Sequence, residues 1–423
     1  MATTAASVAE ICAAAKGASR ELARLDSERK NAALFAMAAA LEQHQDSILE
    51  ANERDLEAGR ADDLSSALID RLKLTPERLA GIAADVRAIA ALPDPVGEVI
   101  DGHRIAERLD MRKVRVPLGV VAVVYEARPN VTIDCSALCL KSGNAIVLRG
   151  SSMAANSNAV LASVAARAVE SVGLPAAAVS IVSGGDRDEL RQLATADGLV
   201  DLIIPRGGEG LKDALKEHAT VPVLYAASGN CHLFVDASAD LDDAVAIAVN
   251  AKVQRPGVCN AIETLLVHGE IAGEYLPRAL AELRERGVEL RVDGRSKALA
   301  GPLADSLLDA TEEDWATEFL ALVLAVRVVD TVDEAIEHVN QYGSGHSEAI
   351  VTGSTGSARR FTQDVDAAAV YVNASTRFTD GGQFGMGAEI GNSTQKLHAR
   401  GPIGLRELCS FKYVVEGDGQ VRP

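Results

Sequence analysis

Gly119-Val120-Val121-Ala122-Val123-Val124-Tyr125 opens a series of short β-branched runs whose spacing decides the fold. Further runs follow at 145–148, 179–182, 199–204 and 221–224, with helical stretches between them. Strands separated by helices of about 10 to 15 residues make βαβ units and a mostly parallel sheet covered on both faces. A second succession starts near residue 230, with runs at 263–268, 288–292, 321–328 and 370–372. The chain reads as α/β with two such units. Upstream, residues 8–92 carry Ala, Leu and Ile at helical spacing, with Ser27-Glu28 and Thr75-Pro76-Glu77 as start signals. Antiparallel helices are expected there, then a linker at Pro93-Asp94-Pro95. Residues 99–116 alternate and are rich in charge, the pattern of a protruding hairpin.

A chain of 423 residues is too long for one ordinary core. Its net charge of −18 argues against a nucleic-acid surface, because phosphate backbones are bound by basic patches. Six cysteines, at 12, 135, 139, 231, 259 and 409, have neither metal-ligand spacing nor the density of a disulfide scaffold. No metal is expected. Cys135 and Cys139, four apart on one helix, read as core residues, and Trp315 as core or interface. The opening Met-Ala-Thr-Thr-Ala-Ala lacks a basic segment before an apolar stretch, and runs such as 118–124 are far shorter than a membrane span. The expectation is a soluble, reduced, cytoplasmic protein that binds small molecules and touches neither membrane nor nucleic acid.

One segment carries reactive chemistry: Gln254-Arg255-Pro256-Gly257-Val258-Cys259-Asn260. A Pro-Gly pair turns the chain sharply before the thiol, and Arg255 favours the thiolate, the form that attacks electrophilic carbon. Read alone, Cys259 is more simply a small buried apolar residue. An acidic protein can bind an anion where arginines converge, and Arg128, Arg149, Arg206, Arg255 and Arg377 are candidates by context. No G-x-G-x-x-G or Walker loop follows the first strand. Two Gly-rich turns do open helical stretches, Ser183-Gly184-Gly185-Asp186 and Pro205-Arg206-Gly207-Gly208-Glu209-Gly210. Each offers N–H groups to an anion or serves as plain turn chemistry.

Three groups of residues carry a resemblance. Val116-Pro117-Leu118-Gly119-Val120 through Tyr125-Glu126-Ala127-Arg128-Pro129-Asn130-Val131, with Leu140-Lys141-Ser142-Gly143-Asn144-Ala145, form the first. Ala335-Ile336-Glu337-His338 with Tyr342-Gly343-Ser344-Gly345-His346-Ser347-Glu348 form the second, and Asn373-Ala374-Ser375-Thr376-Arg377-Phe378 with the tail from 384 to 413 the third. In this order and over essentially the whole length, the chain resembles the aldehyde dehydrogenase superfamily, and within it the reductases that act on L-glutamyl 5-phosphate.

The resemblance implies reduction of that acyl phosphate to L-glutamate 5-semialdehyde in proline biosynthesis. It implies Cys259 as the nucleophile that forms a thioester, and Asn130 as the side chain that joins the Cys259 N–H in holding the oxyanion. Hydrolytic members carry a glutamate that activates water; here Ala226 takes that place, and no Asp or Glu lies between Leu224 and Val235. An enzyme working from an acyl phosphate must keep its thioester from water, so the substitution fits phosphate as the acyl acceptor. Coenzyme A as acceptor would also dispense with the base, and a non-catalytic nucleotide-binding scaffold of the same fold is a third reading.

For the cofactor, Arg149 and Ser152 match the strand end that holds the adenine ribose, and Ser152 replaces the glutamate of NAD-preferring members. A serine beside an arginine accepts a 2′-phosphate, so NADP is expected. Ser183, Gly184, Gly207 and Gly208 are further cofactor candidates, and Glu318 matches the nicotinamide-ribose ligand. Arg128, Arg255, His346 and Arg377 are expected as cationic contacts for the substrate's carboxylate and phosphate. Residues 1–98 and 117–229 would form the cofactor domain and 230–390 the catalytic domain. The hairpin 99–116 and the tail 405–423 would build a homodimer or tetramer. Glutamate 5-kinase, which makes the labile acyl phosphate, is an expected partner.

Overall fold

The structure, a computed structural model, describes residues 6–182, 186–225 and 228–422. Contacts divide the chain into unit 1, Met1–Tyr225 with Met386–Gly391 and Ile403–Pro423, and unit 2, Ala226–Gly385 with Asn392–Pro402.

Unit 1 begins with helices α1 (Val8–Leu22), α2 (Ser27–Gln43), α3 (Gln45–Ala61), α4 (Ser66–Leu72) and α5 (Pro76–Ala91). Their starts follow capping chemistry. Ser7 and Glu10 make a reciprocal capping box for α1, and Thr75 caps α5 with Pro76 in its first turn. The cap of α2 is Asp26, one residue before the expected serine, because its carboxylate accepts the Arg29 N–H at 2.8 Å.

The hairpin of β1 (Val99–Ala106) and β2 (Leu109–Pro117) comes next, followed by β3 (Val120–Tyr125), α6 (Asn130–Lys141), β4 (Ala145–Arg149) and α7 (Ala155–Ser171). The unit continues through β5 (Val179–Ile181), α8 (Arg187–Ala194), β6 (Leu202–Arg206) and α9 (Glu209–His218). The sheet order is β5-β4-β3-β6, every pair parallel. All six residues of β3 are buried, as a central parallel strand requires. Gly119, at φ +126°, admits it: a Cβ there would lie 2.2 Å from Asp201 Oδ2, which accepts the Val120 N–H and pairs with Lys16.

Two expected strands differ. The run at 199–204 starts its strand only at Leu202, because the N–H groups of Leu199 and Val200 close the turn after α8 on Ala196 O. The run at 221–224 makes a single bridge, Ile203 with Val223; Pro222 has no N–H to extend a ladder. The C-terminal strand Cys409–Glu416 pairs antiparallel with β2, so hairpin and tail form one three-stranded sheet. Ile105, Tyr413 and Val415 on it are each more than half exposed.

Unit 2 runs β7 (Cys231–Val235), α10 (Leu241–Val253), β8 (Ile262–His268), α11 (Gly269–Glu285), β9 (Glu289–Val292), α12 (Gly294–Leu299) and β10 (Leu308–Asp309). Then come α13 (Glu312–Ala316), β11 (Val323–Val329), α14 (Val332–Tyr342), β12 (Ser347–Val351), α15 (Thr355–Asp364) and β13 (Ala369–Val372). Its seven strands are parallel in the order β10-β9-β11-β8-β7-β12-β13. Leu233, Ala349 and Val351 face the core made with α10 and α11, whereas Phe234 and Ile350 face Ala335, Val339 and Phe361 of α14 and α15. Cys135 and Cys139 are buried, as is Trp315, whose ring meets His338 edge-on.

Below the sheet ends, Lys252 in the last turn of α10 pairs with Glu263 on β8, both fully buried. Lys252 Nζ also donates to Ile262 O at 3.0 Å. Removing one partner strands a buried charge, so Lys252→Ala should destabilise the protein by about 3–5 kcal/mol, whereas Lys252→Met with Glu263→Leu should recover most of that loss. Urea unfolding of the two variants checks this; a single variant no less stable than wild type would contradict it.

Candidate active site

In unit 2 the nucleophile candidate lies where α10 gives way to β8. The last helical bond runs from Gln254 N to Asn250 O, after which 255–261 form a short loop closed by Ala261 N to Val258 O at 3.1 Å. Cys259 is partly exposed, whereas the other five cysteines are buried; none of the six is in a disulfide. Asn260 anchors the loop. Its Nδ2 donates to Thr379 O at 2.9 Å, and its own carbonyl accepts from Thr376 Oγ1 at 2.6 Å. These bonds bring the turn carrying Arg377 to the thiol loop, where Arg377 Nε donates to Gln254 Oε1 at 2.8 Å. Burial lowers the Arg377 pKa, the Arg255 charge adds to that, and the Cys259 and Asp380 charges oppose it. One thiol therefore shares a field with two guanidinium groups.

Gly229 closes the other side. A Cβ there would lie 1.6 Å from Cys259 O, so only glycine fits. Its N–H donates to Glu318 Oε1 at 2.6 Å, and Cys231 Sγ donates to Cys259 O at 3.1 Å. Leu320, at φ +53°, donates its N–H to Glu263 Oε1 at 3.2 Å. The segment bearing Glu318 is thus tied to the ion pair beneath the thiol loop, and Glu318 belongs to no helix.

His346 requires a correction. It was expected as a cation, but the ring is fully buried and burial pushes its pKa down to about 4, so it is a neutral hydrogen-bonding group. Its Nδ1 lies 2.8 Å from Ser347 Oγ, which meets Thr379 Oγ1 at 2.6 Å; Tyr371 OH reaches the same Thr379 oxygen at 2.7 Å. It supports the anchor turn from behind. His232 is likewise buried, its pKa lowered to about 3, with Nδ1 at 3.0 Å from Glu348 Oε2. Burial raises the Glu348 carboxyl well above the ordinary range.

In unit 1 the candidates lie at the carboxyl ends of the parallel strands, where open α/β sheets bind ligands. Asn130 is the first residue of α6, and its Nδ2 donates to Asp134 Oδ2 at 2.8 Å. Arg149 ends β4; its guanidinium donates to Asp186 O at 2.8 Å, and its Nε is buried with no partner among the described residues. Ser152 is exposed in the turn that follows. An exposed serine beside an arginine with a spare donor suits a ribose phosphate. Arg206 ends β6, and Arg128 is exposed in the turn before α6. The Gly207-Gly208 turn is arranged differently from the expectation of an open anion cradle: Gly208 N already donates to Glu126 Oε1 at 3.1 Å. Ser183, Gly184 and Ala226 lie outside the described residues.

Within unit 2 the structure brings Cys259, Arg255, Arg377 and Glu318 to one loop cluster; within unit 1 it places Asn130, Arg149, Ser152 and Arg206 at one sheet edge. Sequence reasoning passed over Gly229, Gln254, Asn260 and Asp134. Only Asp134 left a signal, its i,i+4 spacing from Asn130.

Two expected outcomes follow from this geometry. Gly229→Ala should cost about 1–3 kcal/mol by overpacking and change the rate at which iodoacetamide alkylates Cys259, measured in one sample by calorimetry and mass spectrometry. His346 has a folded pKa below the unfolded one, so it binds a proton on unfolding below about pH 6.5 and its own contribution to stability falls as pH drops from there. The carboxyls of Glu263 and Glu348, raised by burial, act in the opposite sense in any variant that keeps them, so the test is a difference: the melting temperature of His346→Asn relative to wild type should rise from pH 7.5 to 5.

Comparison with known proteins finds one family and one fold. The model of the aldehyde dehydrogenase family matches residues 1–307 and 285–414. A gamma-glutamyl phosphate reductase from Thermobifida fusca is 54% identical over 98% of both chains. The crystal structure of the gamma-glutamyl phosphate reductase from Thermotoga maritima superposes with a TM-score of 0.96 at 46% identity, covering 99% of this chain and 100% of that one. An acetylating aldehyde dehydrogenase from Geobacillus thermoglucosidasius shares the fold at a TM-score of 0.70 and 19% identity, over 98% and 97% of the two chains.

Proposed function

The chain belongs to the aldehyde dehydrogenase family, and from that premise we propose that it reduces L-glutamyl 5-phosphate to L-glutamate 5-semialdehyde and phosphate, with NADPH. The observation that carries this reading is the turn bearing Arg377 held against the loop of Arg255 and Cys259 by Asn260, close enough that the charges of both residues act on Arg377. A substrate with a phosphate at its reacting end needs cations at the nucleophile, and two are there.

The Cys259 thiolate attacks the γ-carbonyl carbon. The C–S bond forms, the bond from carbon to the bridging oxygen breaks, and phosphate leaves with that electron pair, held by Arg255 and Arg377. Asn130 is assigned as the side-chain donor to the oxyanion that precedes departure. A bound nicotinamide supplies the hydride that the thioester carbon accepts. Collapse then breaks the C–S bond, returns the thiolate and frees the aldehyde; the proton consumed overall leaves on phosphate. Gly229 packs on the Cys259 backbone, and no Asp or Glu stands in 225–234 to activate water, which favours transfer to phosphate over hydrolysis. Glu318 is assigned to the nicotinamide ribose, and Arg149 with Ser152 to the 2′-phosphate. Arg128, Ser183, Gly184, Gly207 and Gly208 are assigned as lesser contacts. Proline biosynthesis in the cytosol is the setting we assign, with glutamate 5-kinase as the supplier of the acyl phosphate.

Among the described residues no helix is long and apolar enough to cross a membrane. The three-stranded sheet ends at β1 on one side and the C-terminal strand on the other, and its exposed Ile105, Tyr413 and Val415 support a homodimer or tetramer formed by strand addition. Sedimentation at micromolar concentration that shows only the 44.2 kDa monomer would remove that assignment.

The reverse reaction tests the chemistry. NADP⁺ reduction by L-glutamate 5-semialdehyde should require inorganic phosphate and fall at least about 10³-fold in Cys259→Ala. Turnover requiring coenzyme A instead would select an acylating enzyme, and none under any condition a binding protein. Arg377→Ala should raise the KM for phosphate roughly 10- to 100-fold, the loss of one charged hydrogen-bond partner. Ser152→Glu should lower kcat/KM for NADP⁺ and spare NAD⁺.

A further inference from the structure

The amide of Asn130 is the one group of the proposed chemistry whose two ends are nearly the same shape. Rotating it by half a turn exchanges a donor for an acceptor at almost no steric cost. An amide that is to stabilise a developing oxyanion must keep its nitrogen forward, and something has to hold it there. Asn130 opens α6, and Asp134, one turn later on the same helix face, accepts from Asn130 Nδ2 at 2.8 Å.

We propose that Asp134 is a positioning residue: its carboxylate takes one N–H of the Asn130 amide, fixes which end of that amide is nitrogen, and leaves the second N–H as a donor of set direction. The inference rests on the reading of Asn130 as the side-chain oxyanion donor. An ionised carboxylate only accepts, so the flipped amide would set oxygen against oxygen. The carboxylate is held by the amide against its other surroundings: burial and the negative charge of Asp85 on α5 oppose it, and besides Asn130 the positive charge of Arg206 at the end of β6 supports it. Cys135 beside it is a buried thiol with its pKa pushed up to about 12, hence neutral. Burial is the largest influence on Asp134 and raises its pKa to about 6, with the Asn130 amide opposing. Below that pH the acid carries an O–H that can donate to the amide oxygen; either end of Asn130 then fits, and the orientation is lost.

The experiment uses the full chain and compares wild type, Asn130→Ala, Asp134→Ala and Asp134→Glu. Phosphate-dependent NADP⁺ reduction by L-glutamate 5-semialdehyde is followed from pH 5 to 9, with melting temperature alongside. Asn130→Ala should slow kcat on the order of 10²–10³-fold. Asp134→Ala should slow it about tenfold, with KM within about twofold of wild type, because orientation and not binding is lost. Wild type should show a step in kcat near pH 6 that Asp134→Ala lacks, and Asp134→Glu should regain part of both rate and step. Because the folded pKa of this acid lies above its unfolded value, its charged form costs stability above about pH 6. The Asp134→Ala melting temperature relative to wild type should therefore rise with pH, and a slow variant cannot be ascribed to unfolding. A slow Asn130→Ala with Asp134→Ala at the wild-type rate and step would overturn the proposal and leave the Asn130 reading standing. Asn130→Ala at the wild-type rate would overturn both. An Asp134→Ala whose kcat and KM shift together as its melting temperature drops would assign Asp134 to structure alone.

Discussion

The buried ion pair of Lys252 and Glu263 is the constraint on which the reactive end of unit 2 depends. Lys252 sits in the last turn of α10 and Glu263 is the second residue of β8, so the pair clamps both ends of the loop that carries Cys259. Two charges taken fully out of water hold together only with good geometry and satisfied neighbours. Both conditions leave marks: Lys252 also donates to Ile262 O, and Glu263 accepts the Leu320 N–H. Burial pushes the carboxyl up to about 7 and the ammonium down, so the pair opposes a tendency of each partner to discharge. The same carboxylate thereby fixes the thiol loop and, through Leu320, the segment that holds Glu318. A hydrophobic pair would serve stability as well, but it would not supply the acceptor that Leu320 requires in its left-handed conformation.

What lies on that clamp separates charge from neutral polarity. Arg255 and Arg377 share the neighbourhood of Cys259, while behind the Arg377 turn the contacts are hydroxyls and a neutral imidazole: Thr379, Ser347, Tyr371 and His346. A cation at His346 would have to be desolvated in a closed network and would compete with the arginines for any anion. Kept neutral, it adds directional bonds without field. This is how a chain of net charge −18 offers a locally positive site.

The α/β class, most strands and the cysteine at the turn were legible in the sequence because they rest on local signals: β-branched runs, caps and a Pro-Gly pair. The same signals misled where tertiary bonds intervene. Residues 199–200 are β-branched or apolar yet close a turn on Ala196, and 221–224 contains the proline that stops its ladder. β7 and β12 went unnamed because Cys231, His232, Ser347 and Glu348 are polar for buried strands; each finds a partner, Glu348 accepting the His232 N–H across the sheet at 2.7 Å, Cys231 Sγ donating to Cys259 O and Ser347 Oγ meeting Thr379 Oγ1. His346 was misassigned for a related reason. Residue type announces a titratable ring, but only packing decides its charge. Gly229 and Asn260 were invisible because their roles are close approach and backbone anchoring, which composition does not encode.

The carboxylate of Glu126 raises a sharper point about the Gly207-Gly208 turn. A Cβ at Gly207 would lie 2.7 Å from Glu126 Oε1, whereas one at Gly208 would meet that oxygen only at 3.9 Å, so Gly207 is the glycine that lets this side chain approach the start of α9, where Gly208 N donates to it. A helix N-terminus attracts negative charge whatever its source. Gly207 is therefore explained within unit 1 by an internal acid. Any phosphate drawn to the same N–H groups meets a carboxylate already there, so its affinity at this turn is what remains after displacing or repelling Glu126. Arg149 has acids of its own nearby, since the charges of Glu189 and Asp186 act on its guanidinium, so an anion at the end of β4 likewise meets negative charge. What distinguishes that strand end from the glycine turn after β6 is a guanidinium with an exposed serine in the turn that follows, where the glycine turn offers N–H groups already in use.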